Sequence, residues 1–323
     1  MLTLRAVATD PTDPLSGLAL EEVDEPTVPD GWEVVEVRAA AVNHHDLFTL
    51  RGVAVPPERL PVTLGSDAAG VTADGREVLC HAVVPNPGVT VADETEVFGR
   101  LSILSEVYDG THAERVAVPS ANLLDKPASL SFIEAACLPT AWLTAYRMLF
   151  TKAGVRAGDR VLVQGAGGGV ATAAIALAAA AGCVVTATSR HEHKRAAALE
   201  LGAAVALPPG DRLHEPVDAA IDTVGEATFG HSLRALAPGG ALVVAGATTG
   251  PHPPVELRRV FAKQLRILGS SMGTRGELAG LLRLLEATGT RPRVAATHPL
   301  AEGLRAYRDL LDGEAVGKLV LVP

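Results

Sequence analysis

The sequence predicts an α/β protein in which a doubly wound parallel sheet is joined to a second, mostly β domain. Three observations predict it. At 323 residues, the chain is about twice the ~150 residues that serve as a prior for one domain. Its middle part alternates short β-prone runs with helix-like runs, the pattern of a parallel sheet with helices on both faces. Its first part is dense in turn formers and short strands, with no long amphipathic helix before Ser129. Hydrophobic residues at 48% and charged residues at 20% are a globular composition, which excludes a disordered chain.

In the middle part, strands are expected at residues 161–164, 184–188, 219–223, 241–245 and 265–269. Helices are expected between them at 170–181, 192–201, 228–236 and 257–264, with Gly202 placed as a C′ glycine and a turn at Pro238-Gly239-Gly240. In the first part, residues 33–42, 79–84 and 115–118 read as strands, separated by turns at Pro56-Pro57, residues 85–88 and Asp109-Gly110. The tail holds helices at 277–288 and 301–312 and a strand at 318–322; it is too short for its own core and is expected to return to the first domain. The division is therefore 1–125 with 270–323, and 126–269.

Lys plus Arg number 28 against 37 Asp plus Glu, a net charge of −9. Without a basic run, that balance argues against duplex nucleic acid and anionic membrane surfaces as partners. Cys80, Cys137 and Cys183 have no paired spacing, so neither a disulfide framework nor a cysteine-rich zinc site is expected. Residues 1–20 carry no secretory pattern, and a reduced, cytoplasmic protein is the expectation. Residues 161–189 lack any charge, but a glycine cluster divides the run into strand, turn, helix and strand, which a membrane helix would not need.

That cluster carries the first functional signal. Gly165, Ala166, Gly167, Gly168, Gly169 and Val170 follow a strand and open a helix, with small Ala171 after them. Residues without bulk let the backbone approach a pyrophosphate, and the free N–H groups of a helix start bind its charge. An NAD site usually places Asp or Glu about 20 residues further on, against the ribose hydroxyls. Here Thr188, Ser189 and Arg190 stand there, with Lys194 one turn later. A hydroxyl and two cations suit a 2′-phosphate, so NADP(H) is the expected cofactor.

Several motifs in order then carry a resemblance over nearly all of the chain. They are residues 41–46 (AVNHHD), 64–70 (LGSDAAG), 110–114 (GTHAE), 139–146 (PTAWLTAY), the glycine loop, 236–240 (LAPGG) and Gly317-Lys318. The sequence resembles the medium-chain dehydrogenase/reductase superfamily, and within it the zinc-independent quinone oxidoreductase branch. The resemblance implies a Rossmann domain and a GroES-like catalytic domain. It matches Asn43 to a zinc-ligand cysteine of the zinc-using relatives, Ser66 to a histidine ligand and Asp67 to the glutamate after it. Neither Asn43 nor Ser66 suits Zn²⁺, so no metal is expected. Residues 90–104 lack the four cysteines of a structural zinc lobe. The pairs Cys80-His81 and His44-His45 are poor substitutes, because adjacent residues on a strand face opposite ways and each pair can rarely supply both ligands.

The resemblance further implies hydride transfer from NADPH to a quinone or an α,β-unsaturated carbonyl. Asn43, His45 and Asp46 are the catalytic candidates: Asn43 for orientation and carbonyl contact, His45 as acid, Asp46 to fix the loop. Phe48 stands where many quinone reductases have a Tyr, so that donor is missing. Asn43, His44 and Thr144 are expected beside the nicotinamide. Gly246, Ala247 and Thr248, and Ser271 with Met272, follow strands and should border the cofactor. Trp32 and Trp142 read as packing residues. An enoyl-thioester reductase, an alcohol dehydrogenase-like enzyme and a catalytically inactive NADPH-binding redox sensor are the alternatives. A thioester of coenzyme A would need a basic mouth, for which Arg258, Arg259, Lys263 and Arg266 are the nearest candidates. A homodimer paired at strand 265–269 is implied by the resemblance, and residues 72–77 read as a short connection for the family.

Overall fold

The computed structural model describes residues 1–53, 55–86, 88 and 100–323. Pro87 of the expected 85–88 turn and most of the cysteine-free 90–104 segment lie outside the described residues. The chain divides into two compact units. One comprises Met1–Thr140, Gly273–Glu286 and Arg291–Pro323; the other comprises Ala141–Met272 and Ala287–Thr290.

The second unit is built on six parallel strands. Their spatial order is Val205–Leu207, Val184–Thr188, Arg160–Gln164, Val217–Asp222, Leu236–Val244 and Arg266–Gly269. The chain builds outward from Arg160–Gln164 to one edge and then restarts on its other side at Val217–Asp222. That reversal is the switch point at which open α/β sheets bind ligands, beyond the carboxyl ends of their strands. Val161, Leu162 and Val163 are wholly buried because helices cover both faces, hence the unbroken apolar run. The helix Gly169–Ala180 has no apolar stripe because Ala171 through Ala178 are all buried, and alanines let it sit tightly between its neighbours. Leu162, Leu242, Phe229 and Leu233 form the core beneath the helix Glu226–Ala235.

Two features differ from the sequence reading. The expected turn at Pro238-Gly239-Gly240 lies inside the strand Leu236–Val244 as a bulge, since pairing with the neighbouring strand jumps from Val217↔Leu236 to Ala219↔Ala241. The edge strand Val205–Leu207 was not expected; three half-exposed residues carry no alternation, and pairing such as Thr188↔Leu207 makes them a strand.

In the first unit the strand Trp32–Ala41 is the hub. It pairs with Arg115–Pro119 along its first half, with Asp67–Thr72 on the other edge, and with the C-terminal strand Lys318–Val322 at its end (Val320↔Ala41). The tail thus closes onto the first unit. Gly70 is required here, because a Cβ at that position would lie 2.1 Å from the carbonyl oxygen of Glu36 on the neighbouring strand. One core gathers Leu4, Leu47, Leu50, Leu64, Tyr307 and Leu321; another gathers Val35, Val37, Val78, Leu104 and Val118. Residues 72–77 form a tight hairpin, with the Thr72 N–H donating to Arg76 O (3.0 Å) and Gly75 N–H to Thr72 O (2.9 Å). The two adjacent histidines open a helix, His44–Leu50, and do not lie on a strand. The alternation argument for His44-His45 is corrected accordingly: the helix turns about 100° per residue, so the two rings diverge for a different reason. Among the described residues, no helix is long and apolar enough to cross a membrane.

Candidate active site and cofactor loop

In the second unit, the strand Arg160–Gln164 ends in Gly165, whose φ of +78° only glycine adopts cheaply. The N–H groups of Gly165 and Ala166 both donate to the carbonyl of Thr188 (3.1 and 2.9 Å), which ties the turn to the end of the next strand. A Cβ on Gly167 would meet Lys194 Cδ at 2.7 Å, so glycine there lets the lysine lie across the turn. Gly168 has open space where its Cβ would be, and the helix begins at Gly169. The first N–H groups of that helix have no intrahelical acceptor, and its dipole adds partial positive charge. Open backbone, free N–H groups and a nearby ammonium fit a dinucleotide pyrophosphate.

At the expected ribose position, Ser189 is buried and its Oγ accepts from the His191 N–H (3.3 Å), so its own hydrogen can serve another acceptor. Arg190 and Glu192 are exposed, and Lys194 is buried. Arg195, which the sequence reading passed over, donates to the carbonyls of Ser189 (2.8 Å) and Arg190 (3.0 Å) and holds that turn. Its spacing along the helix from Ser189 and Arg190 was the available signal. Gly246 is half-buried against Thr223 O, while Ala247 and Thr248 are exposed. Thr249, also passed over, pins this loop by donating to Val224 O (2.8 Å) and accepting from the Ala227 N–H (3.1 Å). Ser271 is exposed and Met272 is buried with a left-handed backbone (φ +47°). Thr144 is buried in the helical turn Leu143–Tyr146.

A buried polar network lies behind the cofactor loop. The Asp222 carboxylate accepts from the N–H groups of Val224 and Gly225 and from the hydroxyls of Thr228 and Ser232. Gln164 accepts from Thr188 Oγ1 (2.5 Å) and donates to Ser232 Oγ (3.1 Å), joining two strand ends to the helix Glu226–Ala235, whose Ser232 hydroxyl donates to Asp222 at the end of a third strand. None of these residues forms a recognisable motif in sequence.

In the first unit, Asn43, Ser66, Asp67 and Lys318 come together. The Lys318 ammonium donates to Asn43 Oδ1 (2.5 Å) and Val42 O (2.9 Å) and lies 3.4 Å from Asp67 Oδ2. Asn43 Nδ2 in turn donates to Asp67 Oδ2 (2.9 Å) and Ala41 O (3.2 Å). Ser66 Oγ pairs with Thr140 Oγ1 at 3.0 Å. Lys318 and Asp67 have side-chain exposures of 3% and 0%, so this is a desolvated ion pair completed by an amide. Burial pushes the Asp67 carboxyl up, and the Lys318 charge and the Asn43 hydrogen bond pull against it. The Asn43 amide is fully engaged inside the protein. Asp46 accepts from the N–H of Asn43 (2.8 Å) and of Gly65 (3.2 Å), locking the helix start to the 64–70 segment.

His44 is exposed. His45 is partly buried, with Nε2 3.0 Å from Glu106 Oε1. Burial presses its imidazole down, yet the hydrogen bond to Glu106 and the charges of Asp46 and Glu106 outweigh that and hold it above the ordinary histidine value. Glu106 was not singled out from the sequence, where a lone glutamate after Ser105 gives no signal.

This donor set does not fit Zn²⁺. The single acceptor of Asn43 already holds an ammonium, and a second positive charge beside it would be repelled. Burial raises the thiols of Cys80 and Cys137 to about 12, and among the described residues neither belongs to a group of three or more side chains that could hold a metal. His81 Nε2 is paired with Gly273 O at 2.9 Å. Replacing Lys318 by Met strands the Asp67 charge, and about 3–5 kcal/mol of stability should be lost. A Lys318→Met/Asp67→Leu double variant, which removes both charges, should regain more than half of that loss. Urea unfolding of the three proteins checks it; equal losses in single and double variants would show that the ion pair is not the cause.

Residues 29–128 match the family described as the alcohol dehydrogenase GroES-like domain, and residues 169–287 match the zinc-binding dehydrogenase family. The chain is 30% identical to the acryloyl-coenzyme A reductase of Metallosphaera sedula, over 94% of this chain and 96% of that one. It is 28% identical to the quinone oxidoreductase of Mus musculus, over 91% and 90% respectively. The crystal structure of an NAD-dependent alcohol dehydrogenase superposes with a TM-score of 0.92 at 34% identity, covering 100% of both chains. A GroES-like unit, a Rossmann-type parallel sheet with its glycine turn, and full-length relatives of this kind lead to one conclusion: the chain belongs to the medium-chain dehydrogenase/reductase superfamily, oxidoreductases that bind a nicotinamide cofactor.

Proposed function

We propose that this protein is a cytoplasmic, zinc-independent reductase that uses NADPH to reduce quinones or α,β-unsaturated carbonyls. The observation that carries the reading is the Lys318–Asn43–Asp67 cluster, which puts a protein cation where zinc-using relatives have metal ligands. Without a Lewis acid, deprotonating an unactivated alcohol is hard, whereas an acceptor that is already electrophilic takes hydride readily. That weighs against an alcohol dehydrogenase-like activity despite the structural likeness to one. Three free, buried cysteines suit a reducing compartment.

NADPH supplies the hydride when bound and leaves as NADP⁺. The chain's own residues bind, orient and donate. Gly165, Ala166, Gly167, Gly168, Gly169 and Val170 hold the pyrophosphate, and Ser189, Arg190 and Lys194 hold the 2′-phosphate. Gly246, Ala247, Thr248, Ser271, Met272, Thr144 and His44 border the nucleotide. Asn43 shapes the reacting site, Asp46 locks the segment that carries it, and His45 donates the proton. A redox sensor would need to aim neither nicotinamide nor acid, and the His45 ring, whose Nδ1 has no hydrogen-bond partner among the described residues, speaks for catalysis.

Reduction of an enoyl thioester is the second reading, favoured by the similarity to an acryloyl-coenzyme A reductase. The basic cluster offered for its phosphates is largely engaged: Arg259 pairs with Glu256, Lys263 donates to Leu236 O, and Arg266 reaches Ala153 O. A homodimer is proposed through the outermost strand Arg266–Gly269 and the helix before it, Leu257–Ala262, where Leu257 (69%), Phe261 (71%) and Ile267 (43%) stand exposed on the isolated chain. An unpaired strand edge lined with apolar side chains is normally paired or covered.

Stopped-assay oxidation of NADPH and NADH against an ortho-quinone, a 2-alkenal and an enoyl thioester tests the function. Quinone or alkenal should turn over with NADPH well ahead of NADH. Arg190→Ala should raise the NADPH KM about tenfold, since it removes a charge-assisted contact of roughly 1.5 kcal/mol, and should leave the NADH KM within about twofold; Lys194→Ala, whose ammonium also lies beside the pyrophosphate turn, should raise both. Tight NADPH binding with no acceptor reduced would remove the enzymatic reading. Light scattering should give the mass of two chains, and Phe261→Asp/Ile267→Lys the mass of one; a monomeric wild type would remove the dimer.

A further inference from the structure

The strongest unabsorbed feature of the first unit is the pair His45 and Glu106. His45 lies in the first turn of the helix His44–Leu50, and Glu106 follows the strand Leu101–Ile103. The pair is built from several sides. Glu106 Oε1 meets His45 Nε2, while Oε2 accepts from the Ile103 N–H (2.8 Å) and the Ser102 hydroxyl (2.9 Å). Ser105, immediately before, holds a left-handed backbone (φ +81°). Such a conformation in a non-glycine residue costs of order 1 kcal/mol or more and persists only where the surroundings impose it. The carboxylate is therefore fixed before the imidazole meets it.

The other nitrogen of the ring is the informative one. His45 Nδ1 is buried and has no hydrogen-bond partner among the described residues. An unsatisfied buried polar atom carries a free-energy cost, and a ligand that supplies an acceptor removes it. With Nε2 committed to Glu106, Nδ1 is the only ring atom left to serve a reaction.

We propose that Glu106 acts through His45 as a positioning residue, fixing Nε2 so that Nδ1–H is presented to the carbonyl oxygen of the electron acceptor. The proposal rests on the reductase reading above and adds the residue that orients the acid. The charged groups acting on the ring are Asp46 on its own helix and Glu106 from the facing turn. In the reaction, hydride addition at the β-carbon of an enone forms a C–H bond and moves the π electron pair onto the carbonyl oxygen. The Nδ1–H bond breaks, its proton forms the O–H bond of the enol, and imidazolium becomes neutral imidazole. The enol reverts to the ketone by exchange with water, and His45 regains its proton from solvent. A quinone follows the same balance, hydride and proton together giving the hydroquinone.

The sign of the pH dependence follows. A proton donor works below its pKa, so turnover falls as pH rises through the pKa of His45. That limb should lie above the ordinary 6.5 in the wild type, because two carboxylates outweigh burial. Glu106→Gln removes one of those charges and leaves the burial, so the limb should move down by about one unit or more. At pH 8 kcat should fall at least about tenfold, and at pH 6 it should stay within about threefold, with KM for NADPH unchanged at both. His45→Gln should abolish the limb, with kcat low at all pH values. NMR titration of the His45 ring in the wild type and in Glu106→Gln gives the same shift without any turnover, and thermal melting shows that both variants are folded.

An unmoved limb and an unmoved ring titration in folded Glu106→Gln overturn the role of Glu106. A His45→Gln variant that keeps the wild-type limb overturns the donor role. If the wild type reduces none of the acceptors, the reductase reading falls and the donor role falls with it, even where the ring titration shifts as expected. If the wild type turns over but Glu106→Gln behaves identically, the reductase reading stands and this proposal alone is wrong.

Discussion

The ammonium of Lys318 binds together segments far apart in sequence. It reaches Val42 and Asn43 at the end of the strand Trp32–Ala41 and approaches Asp67 at the start of the strand Asp67–Thr72. Two buried charges without partners would each cost several kcal/mol, and the Asn43 amide is what completes their mutual satisfaction. The C-terminal strand is therefore more than the last piece of a sheet. Its first residue fixes where Asn43 stands, Asp46 fixes the helix that follows, and that helix carries His45. A metal would organise these segments through its ligands; here a lysine does so through hydrogen bonds.

In the second unit the corresponding constraint is the reversal of strand order beside Arg160–Gln164. The glycine turn stands at that point, and Thr188 O accepts from both Gly165 and Ala166. The phosphate loop and the ribose-facing turn therefore share one anchor. The Gln164–Thr188–Ser232–Asp222 network braces the same strand ends from below. Lys194, lying across Gly167, links the glycine turn to the helix Glu192–Glu200 that follows the strand Val184–Thr188.

The alternating strands and helices of the second unit were legible because local patterns specify them: apolar runs of strand length, alanine-rich helices and a glycine at each sharp turn. The strand Val205–Leu207 was not, because its identity comes from its neighbour. Neither was the bulge at residues 238–240, where Pro and Gly signal a turn that pairing on both sides draws into a strand. In the candidate site, a motif singled out Asn43, His45 and Asp46, and Asp46 accepts from the N–H groups of Asn43 and Gly65. Lys318 was noticed only as part of a motif, and Glu106 not at all. Both act across more than sixty residues of chain, on Asn43 and His45 respectively. A long-range pair between single charged residues leaves no periodicity to read. Thr249 likewise reaches Val224 and Ala227 across the chain, whereas Arg195 was missed for the opposite reason: it acts on carbonyls close by, as many polar residues could.

The central claim is that a lysine-centred hydrogen-bond cluster does the organising that a metal does in zinc-using relatives, and that turnover needs no metal. Metal analysis of the same preparation that is assayed tests it most directly. Full NADPH-dependent reduction of a quinone or enone is predicted in protein whose zinc is far below one per chain, with no gain when zinc is added. Activity that rises in proportion to bound zinc would contradict the account.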